Sequence, residues 1–343
     1  MEFPQVFVYN GEDEQGAAAE LGRVVAAVGG TNPLVITSER GLPLTDDVPG
    51  AKRSSPPPDA GKEWASTLGG EIRRAAADLV VAIGGGRTLD IAKLAAARAG
   101  VTVITVPTQL SHDGLCSPVA VVPGGDGKTE SLGAIAPRAV FLSLPTLLAA
   151  PLDSVRAGIG DLLANPLALR DWALAAEHGL TEVDRRAWDM SAQAFDLVEP
   201  YLDEDPAVLA RRPEFHLTLA DALVLSGMAM IVAGSSRPAS GAEHEISHAI
   251  DELYGGRALH GAQVAFGCIV SVALYGDDTS AFRARLRRLG LPDDPAALDL
   301  THEDMVKVLL TAPDTRPGRF TILEDAALDD AGARAVVASI WSD

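Results

Sequence analysis

Two cysteines, Cys116 and Cys268, stand far apart in a chain of 343 residues, too few for a disulfide framework and in no spacing that suits a structural metal. Basic residues are scarce: 28 Lys and Arg against 47 Asp and Glu leave a formal net charge of −19. That balance excludes a nucleic-acid or anionic-membrane surface, both of which need clustered basic side chains. An anionic small molecule would need a local basic pocket or a metal to overcome it. No run of about 18 apolar residues is free of charges and turn formers, so no membrane span is expected. The N-terminal stretch MEFPQVFVYNGEDEQG is acidic and lacks the basic-then-apolar pattern of a secretory leader. A cytoplasmic protein is therefore expected. No internal repeat at the periods of solenoid folds is present.

What is there is ordinary globular material: 47% apolar and 22% charged residues, enough for two domains. Over residues 1–150 short apolar runs alternate with helix-like segments. QVFVY (5–9), PLVIT (33–37), DLVVAIGGG (78–86) and VTVITVPT (101–108) read as strands, and 52–61 as a Pro/Ser-rich loop. Such alternation predicts an α/β domain with a parallel sheet covered on both faces. Over residues 151–343 the strand signals nearly vanish and long alanine-rich segments predict an all-helical domain.

Three constellations carry chemistry. In VVAIGGGRTLDIAK (80–93) a buried strand ends in Gly84, Gly85 and Gly86 and a helix follows at once. Glycines there let a ligand approach the backbone, and the helix start offers free N–H groups to a phosphate. A tight strand-to-helix turn is the competing reading, but it needs one glycine rather than three in a row. The second, VPTQLSHDGLCSPVAVV (106–122), follows the next strand and concentrates Thr108, Ser111, His112, Asp113 and Ser117, a density suited to a polyol. A polar surface loop with turn chemistry is the alternative. The third lies in the helical half: Asp161, His244, His248 and His260, with three of the seven histidines inside 17 residues. A cation on Asp and His ligands with an open position would polarise an alcohol or carbonyl oxygen. Ordinary packed histidines are the competing reading.

His244-Glu245-Ile246-Ser247-His248 also spells H-E-x-x-H, the zinc-peptidase signature. A peptidase needs a third ligand and an extended cleft, and has no use for a nucleotide-type glycine loop. The motif is short enough to arise by chance among helix-forming residues.

GGGRTLDIAK, VPTQLSHDGLCSP, AGIGDLLAN, GSSRPASGAEHEISHAID and HGAQVAFG occur in this order in one known family. From about residue 80 to 267 the chain resembles the sn-glycerol-1-phosphate dehydrogenases, within the iron-containing alcohol dehydrogenase and dehydroquinate synthase superfamily. The resemblance implies a Rossmann-like domain followed by an all-helical one. It implies NAD or NADP held by Gly84, Gly85, Gly86, Arg87, Thr88 and Asp90, with Thr108, Gln109, Leu110, Ser111 and Ser117 also on the cofactor. It implies a metal, usually Zn2+ with Ni2+ or Fe2+ as alternatives, on Asp161, His244 and His260. Asp113 and His248 would act at the substrate, together with Asp161, and Glu245 matches no catalytic group. The implied reaction is hydride transfer to the ketone carbon of dihydroxyacetone phosphate, with His248 or a metal-bound water as proton donor. A homodimer or higher homo-oligomer is implied as well.

The chain departs from the family pattern at Ser143, where an aspartate is usual, and matches it less closely over 181–215 and 315–328. A dehydroquinate-synthase-like cyclase is the competing activity, but that branch carries a Glu-His-His metal set and several basic phosphate ligands. Asp161 and the scarcity of lysine favour the dehydrogenase, and the intact Asp161, His244 and His260 oppose a non-catalytic descendant. Another phosphorylated or polyol ketone is a further alternative as substrate. For cofactor choice, Ser38 and Arg40 after the second strand could meet a 2′-phosphate.

Overall fold

The computed structural model describes residues 3–57, 59–124 and 129–341. Apolar runs rich in Val, Ile and Leu form parallel strands because they are buried on both faces. These are β1 (Gln5–Tyr9), β2 (Pro33–Thr37), β3 (Ala51–Ser54), β4 (Leu79–Gly84), β5 (Thr102–Pro107) and, after a separate antiparallel hairpin of β6 (Val119–Pro123) and β7 (Thr129–Gly133), β8 (Ala139–Ser143). The six-stranded sheet has the order β1-β8-β5-β4-β2-β3, all parallel. Helices α1 (Glu14–Ala27), α2 (Lys62–Arg74) and α3 (Gly86–Ala99) belong to this half, and they bury Leu21, Ile72 and Ile91 completely.

Residues 52–61, expected as a loop, begin inside β3. This four-residue edge strand is too short to show a period, and its pairing with β2 decides it. β6 and β7 were equally illegible as strands, since they form a hairpin outside the main sheet.

After Ser143 every regular element among the described residues is helical: α4 (Leu144–Leu148), α5 (Leu152–Leu162), α6 (Asn165–Glu177), α7 (Arg185–Val198), α8 (Pro206–Leu209), α9 (Pro213–Ala233), α10 (Ala242–Tyr254), α11 (His260–Leu274), α12 (Thr279–Leu289), α13 (His302–Thr311), α14 (Ile322–Ala326) and α15 (Asp330–Trp341). The expected α/β class is thus observed. α9 is long and apolar enough to cross a membrane by length and composition alone. Here its Phe215, Leu219 and Leu223 are fully buried, so its apolar character is used as core.

Two features position the site. Gly84 at the end of β4 pairs with Pro107 at the end of β5, so the loops after both strands open at the same sheet edge. In the helical half, glycines let α5, α10 and α11 approach backbone to backbone. A Cβ at Gly160 would lie 3.1 Å from the Gly261 carbonyl carbon, and one at Gly267 would lie 3.1 Å from both Cα and carbonyl carbon of Glu243. Each glycine sits beside or against the segment that bears a candidate ligand: Gly160 precedes Asp161, Gly261 follows His260, and Gly267 packs on the residue before His244.

Candidate active site

These crossings bring one ligand atom each from Asp161, His244 and His260 within 4.8 Å of one another. Asp161 Oδ2 accepts the Asp113 backbone N–H at 2.9 Å, while Oδ1 is buried without a hydrogen-bond partner and lies 3.9 Å from His260 Nε2. His244 Nδ1 is 3.0 Å from Glu243 Oε1, which leaves Nε2 with its lone pair. Burial, then the charge of Asp113, pushes the Asp161 carboxyl well above the usual carboxylate range. Burial holds His244 and His260 well below the usual imidazole value, helped by Arg316 at His244 and by neighbouring imidazoles at His260. Neutral imidazoles beside an orphaned carboxylate oxygen fit a divalent cation, which requires unprotonated ligands and would restore the carboxylate.

His248 lies one turn after His244 on α10 but makes a different contact. Arg316 Nη2 donates to His248 Nε2 at 3.2 Å. An arginine cannot accept, so the His248 proton resides on Nδ1, which is buried without a partner. Glu245, between the two histidines, is buried, accepts from Thr321 Oγ1 at 3.0 Å, and is pushed up to about 9 by burial and then by Glu324. It faces the α14 segment, so the peptidase arrangement of H-E-x-x-H is absent.

A cavity of about 340 Å3 joins this cluster to the sheet edge. Its lining includes Gly86, Arg87, Asp90, Asp113, Ser117, His244, His248 and His260. The N-cap of α3, Gly85, has no side-chain cap, and Gly86 and Arg87 of its first turn line a cavity that could hold a pyrophosphate. The glycine run also has a packing cause. A Cβ at Gly84 would lie 2.7 Å from Thr88, one at Gly85 would lie 3.2 Å from the Gln109 amide, and one at Gly86 would collide with the His112 imidazole.

Other expected cofactor residues sit differently. Asp90 lines the cavity, with Oδ2 accepting the Val121 N–H at 3.1 Å and Oδ1 in an ion pair with Lys93 at 2.9 Å but without a hydrogen-bond partner. Lys93, fully buried, also donates to the carbonyls of Gly114, Ser117 and Val119, tying α3 to the loop after β5. Thr88 Oγ1 is 2.9 Å from Ser55 Oγ. Thr108, Leu110 and Ser111 are buried outside the cavity lining, and Leu110 is only 1% exposed. Asp113 lines the cavity, accepts from Ser226 Oγ at 2.8 Å, and is raised to about 6 by burial. Ser38 Oγ is buried and unpartnered at the end of β2, and Arg40 is exposed on the turn that follows.

Sequence reasoning missed Arg316 and Glu243, both at this site, and singled out His112 only as one of the polar side chains of the loop after β5. Glu243 accepts the Gly241 N–H at 2.6 Å while holding His244, and Asp171 accepts the Ala242 N–H at 2.7 Å, so two carboxylates satisfy the start of α10. Arg316 follows the short turn Ala312–Thr315 and reaches the site only through tertiary folding.

With the geometry in place, comparisons identify its relatives. Residues 53–151 match the family model described as iron-containing alcohol dehydrogenase. A protein of Hyperthermus butylicus named glycerol-1-phosphate dehydrogenase [NAD(P)+] is 40% identical over 79% of this chain and 76% of its own length. One of the same name from Cenarchaeum symbiosum is 37% identical over 77% and 73%. Among solved structures, a probable glycerol dehydrogenase of Sinorhizobium meliloti superposes with a TM-score of 0.81 at 21% identity, covering 98% of this chain and 96% of that one. A sulfoacetaldehyde reductase of Bifidobacterium kashiwanohense in complex with NAD+ gives 0.72 at 15% identity, covering 100% and 99%. The chain belongs to the glycerol-1-phosphate dehydrogenase family of the iron-containing alcohol dehydrogenases.

Proposed function

We propose that this protein is a metal-dependent NAD(P)(H) oxidoreductase that interconverts dihydroxyacetone phosphate and sn-glycerol 1-phosphate. One observation carries the reading: His244 and His260, which cluster with Asp161, line the same cavity as Gly86 and Arg87 at the uncapped N-terminus of α3. Asp161, His244 and His260 would hold the cation, and the first turn of α3 the cofactor pyrophosphate. A bound cation supplies Lewis acidity at the ketone oxygen, and the nicotinamide supplies hydride.

The chain's own residues do the rest. Glu243 keeps His244 in the tautomer with a free Nε2. Arg316 keeps His248 in the neutral Nδ1–H tautomer, which can hydrogen-bond the substrate oxygen but does not give up its proton. Asp113, fixed by Ser226 and by its backbone bond to Asp161, orients a substrate hydroxyl. Thr108, Gln109, Leu110 and Ser111 act through loop shape around the cofactor, with Ser117 and Arg87 at the cavity wall.

Ser38 and Arg40 support acceptance of NADPH beside NADH. A homo-oligomer is supported by edge strand β1, whose Val6 and Val8 are 38% and 45% exposed. Free, buried Cys116 and Cys268 suit a cytoplasmic setting. Zn2+-loaded protein should oxidise NADH or NADPH with dihydroxyacetone phosphate, followed by absorbance, and a chelator should stop it. Formation of a carbocycle without net NADH loss would instead favour the cyclase.

A further inference from the structure

Four residues after Asp161, the segment GDLLAN (160–165) ends in Asn165, an amide only 1% exposed at the start of α6. Burying an amide among helices costs free energy unless its polar atoms find partners. Asn165 Nδ2 donates to the Ser191 carbonyl of α7 at 3.2 Å and to Ser226 Oγ of α9 at 3.2 Å. Ser226 is fully buried, and its Oγ donates to Asp113 Oδ2 at 2.8 Å. A polar chain thus runs from the packed helices to a carboxylate that lines the cavity.

The direction of each bond is fixed. The Ser191 carbonyl can only accept, so the Asn165 amide keeps Nδ2 on that side. Its second N–H meets Ser226 Oγ, which leaves the single hydroxyl proton for the carboxylate, the stronger acceptor. Asn165 Oδ1, at 3.4 Å, is the more distant alternative. A serine inside a helix can turn its hydroxyl back to the carbonyl one turn earlier, here that of Ala222. Ser226 crosses to Asp113 instead. Gly227 allows the close crossing: a Cβ there would lie 3.0 Å from the Asp113 carbonyl oxygen and 2.9 Å from the Ser117 nitrogen. One short segment therefore grips Asp113 twice, at its N–H by Asp161 and at its carboxylate by Asn165 through Ser226.

We propose that Asn165 and Ser226 are positioning residues that set the Asp113 carboxylate to recognise a free hydroxyl on the substrate. The assignment rests on the dehydrogenase reading, with Asp113 at the substrate. Ser226 holds Oδ2, while Oδ1 accepts no hydrogen bond from the described residues and stays available to a ligand hydroxyl in the cavity. A site built to bond a hydroxyl rejects an analogue that lacks it, because its own polar group is then left unpaired. Asn165 contributes by polarising the serine, since each bond in such a chain strengthens the next.

The test compares Ser226→Ala, Asn165→Leu and the double variant in the full chain. Leucine matches the branched shape of asparagine and removes only its polar atoms. Reduction of dihydroxyacetone phosphate is measured against hydroxyacetone phosphate, which lacks the free hydroxyl. In Ser226→Ala the ratio of the two kcat/KM values should fall by about 10- to 100-fold, the weight of a hydrogen bond to a charged group. Asn165→Leu should lower the ratio in the same direction by about 10-fold. The double variant should fall no further than Ser226→Ala alone, because Asn165 acts through Ser226. Zn2+ affinity, read by chelator competition, should persist in all three. An unchanged ratio in Ser226→Ala would overturn the proposal. So would equal loss with both ketones accompanied by loss of Zn2+, which marks general disruption of packing. Additive losses in the double variant would overturn the part given to Asn165. If the parent reduces neither ketone, the dehydrogenase reading fails, and a crystal structure of Asn165→Leu still decides the chain. Ser226 turned toward the Ala222 carbonyl supports it, and a Ser226 contact to Asp113 retained at 2.8 Å overturns it.

Discussion

Gly267→Ala tests how the fold builds the metal cluster. The new Cβ would stand 3.1 Å from the Cα and carbonyl carbon of Glu243, and closer still to its oxygen, whereas ordinary van der Waals contact begins at 3.4 Å. The obstacle is backbone, so no side-chain rotation relieves it. α10 must recede from α11 by several tenths of an ångström or more, carrying Glu243 and His244 away from His260. Overpacking of this kind costs about 1–3 kcal/mol. A misplacement of about 1 Å can cost about 100-fold in rate. Melting of the metal-free variant should show the stability loss, and chelator competition for Zn2+ should show weakened affinity in protein that is still folded. A Gly267→Ala protein that melts with the parent and binds Zn2+ as tightly would refute the argument that this close crossing sets the ligand geometry.

The H-E-x-x-H histidines should separate by role: His244→Ala should lose Zn2+ in equilibrium dialysis, while His248→Ala should retain it and lose turnover. Equal loss of metal in both would remove that division. Glu243→Gln keeps the side-chain volume but removes the carboxylate that orients His244. It should weaken Zn2+ by about 10- to 100-fold with little change in NADH affinity, as read by chelator competition and fluorescence. Asp171 is raised from 3.8 to about 7 by burial and then by Glu243, against three donors from Ala242, Ile322 and Tyr275. A raised folded-state pKa means stability that is full below about pH 4 and lost as pH rises through about 7. Melting temperatures of the metal-free parent should therefore fall across that window, and those of Asp171→Asn should fall less; parallel curves would exclude Asp171 as a source of the slope.

Much of the fold was legible because its causes are local. Buried strands such as VVAIG and VITVP announce themselves by continuous β-branched runs, and alanine-rich segments announce helices. The Asp161, His244 and His260 set was legible as a group of ligand types, and His244 and His248 as neighbours on one helical face. β3 was not, because four residues on an edge owe their conformation to a partner strand. Asp90 lies in the glycine-loop motif and lines the cavity, but its ion pair with Lys93 and its bond from the Val121 N–H are pairings that sequence spacing does not disclose.

The sequence by itself determined the α/β class, the family, the glycine-rich strand-to-helix turn and the candidate ligand types, since each is written in residues close together along the chain. Tertiary structure alone decided which atoms converge. Asp161 and His260 are 99 residues apart and meet only because Gly160 and Gly261 let their helices touch. Arg316 reaches His248 across 68 residues, and Glu245, the apparent catalytic base, turns instead to Thr321. Periodicity tells which face of a helix a residue occupies; only packing tells what that face meets.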